Sequence, residues 1–226
     1  MSLESLGIAY AWLVVAFALL VTVLARKQCA ARWGEYAGHI TYFAAFFVLL
    51  GLAPAAVVVA SNGPAALGLV GFGPGNIGRG VVMLGIGLII SFPLMYFAAR
   101  DPELARQYPL ARLAAWDRRR FTIYELVYAV GYYVAWEFTF RGLLFFPLLA
   151  VAGLLPALAV QTIISTLLHI GHPDSEIWSA VVGGILLGLG AWWTGSFIYA
   201  FVIHAGCGVA HDTIRFLQQR RAANLR

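Results

Sequence analysis

Apolar residues run along this chain in long uncharged blocks, and the charges collect between the blocks. About 20 residues at 1.5 Å rise cross a hydrocarbon layer of ~30 Å, so blocks of this length predict membrane-spanning helices. The first runs from Ile8 to Ala25, with Glu4 and no base before it and Arg26, Lys27 and Arg32 after it. A secretory signal carries its positive charge first, so this block predicts a retained span. From Tyr36 to Gly78 no Asp, Glu, Lys or Arg occurs, which is too long for one crossing. Gly63, Pro64, Gly68, Gly71, Gly73, Pro74 and Gly75 break it. The pattern predicts a second span over roughly 35–60, an external loop, and a third span over roughly 80–99.

The stretch 100–120 is the one extended polar segment, with Arg100, Arg106, Arg112, Arg118, Arg119 and Arg120. It predicts a cytoplasmic segment with a short surface helix. Four further spans follow, over roughly 121–150, 154–170, 177–193 and 197–216. The fold class expected is an all-α membrane protein, a polytopic bundle of about seven (six to eight) transmembrane helices. Seven spans with the N-terminus outside put the basic clusters at 26–32, 100–120 and 215–226 on one side, in the plasma membrane with the C-terminus cytoplasmic.

Composition agrees: 62% of the 226 residues are hydrophobic and 11% charged, where soluble domains run about 25% charged. The alternating strands of an outer-membrane barrel are missing. The net charge of +5 comes from bases clustered between apolar blocks, so it reports orientation and implies no nucleic acid partner. Two cysteines, Cys29 at a span edge and Cys207 within an apolar run, make no disulfide framework.

Ionisable residues inside spans cost ~2.5–3.5 kcal/mol each on insertion scales, so those present carry the information. They are Glu137, Arg141, His169, His172, His204, His211 and Asp212, all in the last 90 residues. His39 sits at an interface, and Asp174 and Glu176 are most simply loop charges. Glu137 and Arg141 are four apart and share a helix face, as a structural bolt or as an oriented base. His169 and His172 share a face at the end of span five, with Pro173 leaving the helix. His204 and His211 lie two turns apart on span seven. One carboxylate and a deep histidine on each of two other spans can converge on a water and polarise it, with the imidazoles binding an oxyanion or a metal ion. That arrangement points to peptide hydrolysis inside the membrane.

These residues resemble the CAAX-protease and bacteriocin-processing (CPBP, or Abi) intramembrane proteases, which include the type II CAAX prenyl endopeptidases. The resemblance covers about 121–213. Its first motif, Glu-Glu-x-x-x-Arg ending Phe-Arg-Gly, reads Trp136-Glu137-Phe138-Thr139-Phe140-Arg141-Gly142 here. Its second, Phe-x-x-x-His, reads Ser165-Thr166-Leu167-Leu168-His169, and its third, His-x-x-x-Asn or Asp, reads His204-Ala205-Gly206-Cys207-Gly208. Trp136 stands where the family has its first Glu, usually assigned as general base. Gly208 replaces the Asx, with Asp212 one turn later as a stand-in.

The resemblance implies a catalytic core over 121–226 behind an N-terminal three-span region, 1–120, in one membrane domain. It implies an intramembrane endopeptidase acting on a membrane-anchored peptide or protein. Glu137 would be the general base, Arg141 its orienting partner, and His169 and His204 the oxyanion or metal ligands. His172 and Asp212 are second-tier candidates. His169, His204 and Glu137 would suit a divalent metal such as zinc with an open water position. The alternative is a non-catalytic scaffold of the same fold that binds a partner. A proton or cation transporter would need polar residues in the early spans, and those are bare.

Overall fold

The computed structural model describes residues 2–112, 114 and 117–224, and every regular element among them is helical. Helix α1 (Leu3–Val21) starts on Ser2, whose hydroxyl accepts from the Ser5 N–H and satisfies an orphan donor of the first turn. A short polar helix, α2 (Arg26–Trp33), leads into α3 (Glu35–Asn62). A 3₁₀ segment, Pro64–Val70, occupies the Gly/Pro-rich connection, and α4 (Ile77–Ala98) follows, capped by Asn76. The polar stretch holds α5 (Pro102–Gln107), capped by Asp101. The rest are α6 (Arg118–Ala152), α7 (Leu154–Leu167), α8 (Asp174–Thr194) and α9 (Ile198–Asn224). Gly153 at φ 83° and Gly195 at φ 73° make the turns into α7 and out of α8, a backbone region that side chains with a Cβ rarely enter.

The seven predicted spans correspond to α1, α3, α4, α6, α7, α8 and α9. Five of them, α1, α3, α4, α6 and α8, are long and apolar enough to cross a membrane. Helix α7 is a shorter apolar helix of 14 residues. Helix α9 is long, but the polar residues that carry the site, with Asp212 and the arginines after it, lower its hydropathy. Helix α2 was not expected from the pattern, because its sequence is too polar to read as a span.

Contacts fix two ends of the bundle. At one, Ser2 N–H donates to the Asn62 side chain, and the backbone N–H of Asn76 donates to the Thr194 carbonyl. At the other, Arg112 N–H donates to Glu35, and Arg215 reaches the carbonyls of Ala99 and Ala105. The three basic clusters therefore share one end, as the alternating topology requires.

The helices are unequally placed. In its most apolar window α4 is 6% buried, whereas α6 is 56% buried. Helix α6 is the hub. Tyr10 on α1 donates to the Leu143 carbonyl, and Thr139 donates to the Leu50 carbonyl on α3. Phe46, Leu50, Trp136, Phe140 and Leu143 pack into one buried cluster with Leu13 of α1. Two wide π turns, Val127–Tyr133 and Phe138–Leu144, interrupt α6 on either side of Glu137. Such turns overwind nothing and cost ladder geometry, so they persist where a side chain must be re-aimed, often at functional sites.

Candidate active site

Helix α6 places Glu137 and Arg141 one turn apart, both buried, with Arg141 Nη1 donating to Glu137 Oε1 at 3.1 Å. His204 comes from the first third of α9 and meets the same oxygen: its Nδ1 lies 2.6 Å from Glu137 Oε1. A carboxylate only accepts, so Nδ1 carries the hydrogen and Nε2 is left free. Glu137 is 0% exposed, and its other oxygen, Oε2, has no protein partner. A charged pair sealed this way is held by mutual neutralisation, since removing either member would strand a buried charge.

His169 sits just past the end of α7. Its Nδ1 donates to the Ser165 carbonyl at 2.9 Å, which again leaves Nε2 free. Its ring meets Trp136 edge to face at 5.3 Å, and Trp136 also packs against His204 at 6.4 Å. The indole at 136, where the related motif has a carboxylate, is thus a wall between the two imidazoles. Tyr133 stands one turn before it, with its ring 4.7 Å from that of His204. A Cβ at Gly208 would run into the Tyr133 hydroxyl, so the phenol occupies the place that a longer side chain at 208 would take.

These residues border a cavity of about 230 Å³. His169, His172 and His204 line it together with Trp136, Tyr133 and Glu176. Glu137 does not line it but contacts His204, which does. A shallower groove of about 500 Å³, lined by Arg26, Arg106, Arg112 and Glu103 among others, adjoins it, and His172 borders both.

Glu176 is the residue that the sequence pattern did not single out. Its Oε1 accepts from the Tyr108 hydroxyl at 2.5 Å and lies 2.7 Å from His172 Nδ1. The Gln107 amide is 2.8 Å from the same nitrogen. Burial pushes the Tyr108 phenol well above its usual range, with nearby Tyr128 and Glu176 adding to the shift, so it stays a neutral donor. The one available signal was the spacing of four between His172 and Glu176.

Asp212 lies elsewhere. It is 1% exposed, and its Oδ1 accepts from His211 Nδ1 at 3.1 Å. Glu125 of α6 lies beside it, and neither Asp212 nor His211 lines the cavity. The structure therefore gathers Glu137, Arg141, His169, His172 and His204 and leaves Asp212 in a separate buried cluster. His39 donates from Nδ1 to the Glu35 carbonyl in its own helix.

Zinc would need His169, His204 and Glu137 around one point. Among the described residues no group of three His, Cys, Asp or Glu side chains is placed to hold a metal ion. Glu137 Oε1 is instead taken by Arg141 and His204. The donor set does not fit.

Residues 118–210 match the family described as type II CAAX prenyl endopeptidase Rce1-like. No curated protein and no solved structure matches the chain.

Proposed function

Starting from residues 118–210 as an Rce1-like domain of the CAAX-type intramembrane protease family, we propose that the protein is an endopeptidase that hydrolyses a peptide bond of a membrane-anchored substrate. The observation that carries this reading is the 2.6 Å contact between Glu137 and His204, which fixes a cavity-lining imidazole from inside the bundle. The attacking water sits in the cavity. Glu137, charge-balanced by Arg141, holds His204 by Nδ1 and sets the direction of Nε2. In their doubly protonated form His204 and His169 each donate from Nε2–H to the scissile carbonyl oxygen and stabilise the oxyanion as it forms. Donors fixed in place before the reaction stabilise developing charge most effectively in a site with little water, because nothing has to reorganise. The hydrolysis uses the chain's own side chains and no metal. With the N-terminus outside, the end of the bundle that carries the cavity faces the cytoplasm, and the substrate enters from the bilayer.

The test is cleavage of a lipid-anchored reporter by the full-length protein in proteoliposomes. Glu137→Gln and His169→Ala are expected to stop cleavage while the protein still inserts and accumulates. Cleavage at the wild-type rate by either variant would remove the site assignment, and absence of cleavage by the wild type would favour the non-catalytic scaffold.

A further inference from the structure

Peptide hydrolysis needs a group that takes a proton from the attacking water, within hydrogen-bond reach of it. Glu137 stands behind the cavity: it is fully buried, its Oε1 is shared by Arg141 and His204, and it is absent from the cavity wall. The position before it is Trp136, so α6 supplies no second carboxylate there. The cavity nevertheless has a carboxylate of its own, on α8. Glu176 lines the wall with His169, His172 and His204. Its Oε1 is pinned by the Tyr108 hydroxyl and His172, and its Oε2, a buried oxygen, has no protein partner. One oxygen held and one left over is what a base requires, because the fixed oxygen sets the direction of the lone pair on the other.

We infer that Glu176 is the catalytic base of the proposed peptidase, the carboxylate that accepts the proton of the attacking water. This rests on the peptidase reading above and assigns a role that α6 does not fill. The water oxygen bonds to the carbonyl carbon as one of its protons passes to Glu176 Oε2. His169 and His204, each doubly protonated, hold the resulting oxyanion through Nε2–H. Collapse breaks the C–N bond, and the protonated Glu176 returns its proton to the leaving amine. One carboxyl thus serves as base and then as acid, and no other reactant is consumed. Tyr108, His172 and Gln107 are positioning residues: they touch Glu176 or its partner and not the reacting atoms. The charged and titratable groups around the carboxylate are His172 on the turn before α8, Tyr108 after α5, His169 after α7, His204 on α9, Arg26 on α2, Tyr42 on α3, and Tyr128, Tyr132 and Tyr133 on α6.

The experiment uses the full-length protein in proteoliposomes with a mixture of palmitoylated fluorogenic peptides randomised around the scissile bond. Positioned acid–base groups contribute about 10²–10⁴-fold, so Glu176→Gln is expected to lower kcat by at least about 100-fold, with KM within about threefold. The rate of the wild type is expected to fall towards acid pH as the base is protonated, and Glu176→Gln to lose that limb. Formate is expected to restore part of the activity of Glu176→Ala, which a merely structural role would not allow. Melting of each variant in detergent separates lost chemistry from lost fold. Turnover by Glu176→Gln within threefold of wild type, with Glu137→Gln and His204→Ala inactive, overturns the assignment and leaves the peptidase standing. Absence of cleavage by the wild type overturns the peptidase reading and this assignment with it; cleavage indifferent to Glu137→Gln and His204→Ala overturns the site and this assignment with it.

Discussion

Two carboxylate–imidazole pairs flank the cavity, and their contacts are almost the same length: 2.6 Å for Glu137 with His204 and 2.7 Å for Glu176 with His172. Their surroundings differ. The inner pair joins α6 to α9, and Arg141 neutralises a carboxylate that is 0% exposed. The outer pair spans one turn, has side chains 22% and 17% exposed, and draws its second hydrogen bond from the neutral phenol of Tyr108. A short hydrogen bond is common to both, so distance does not assign the roles. Position does. Glu137 sits behind the cavity wall and sets the geometry of its imidazole, whereas Glu176 forms part of the wall.

The largest effect expected is on the inner pair. Glu137→Ala leaves the Arg141 guanidinium buried without its partner, and breaking such a pair costs about 3–5 kcal/mol. Thermal melting in detergent should show it, together with complete loss of cleavage. His204→Ala should lose about 10²–10⁴ in kcat, comparable to an oxyanion donor with its orienting support, and keep its melting temperature within a few degrees. His172→Ala should be milder, about 10- to 100-fold in kcat, because Tyr108 still holds Glu176; a melting loss larger than that of Glu137→Ala would break the contrast between the pairs. Gly208→Ala drives a methyl into the Tyr133 hydroxyl, an overpacking of about 1–3 kcal/mol measurable by the same melts. The smallest effect belongs to Asp212→Asn: cleavage should stay within about twofold of wild type, since Asp212 pairs with His211 away from the cavity and its replacement keeps the side chain's shape.

The helices were legible because uncharged blocks of this length have few other uses; the observed ends fall within five residues of the expected ones, except that α9 runs eight residues further, to Asn224. Helix α2 was invisible to hydropathy, since Arg26, Lys27 and Gln28 open it. Glu137 and Arg141 could be paired from their spacing of four. The contact of Glu137 with His204 joins residues 67 positions apart, and no local pattern predicts it. Glu176 was missed for a specific reason. The apolar block suggests a span beginning at Ile177, but Pro173 starts α8 at Asp174, and that extra turn brings Glu176 back beside His172. Trp136 and Gly208 were legible as departures from a motif. What stands in their place was not, because Tyr133 and Glu176 reach the cavity from other turns and another helix.

Helix α7 has one more consequence. Its 14 residues rise about 21 Å, some 9 Å short of the hydrocarbon thickness of a typical bilayer. Lipid beside a short helix sags to meet it, and head groups descend with their hydration. Gly153 joins the other end of α7 directly to α6, so a shortfall taken up at the Leu167 end would put His169 beneath a dent in the membrane surface, where water would have only a thinned leaflet to cross.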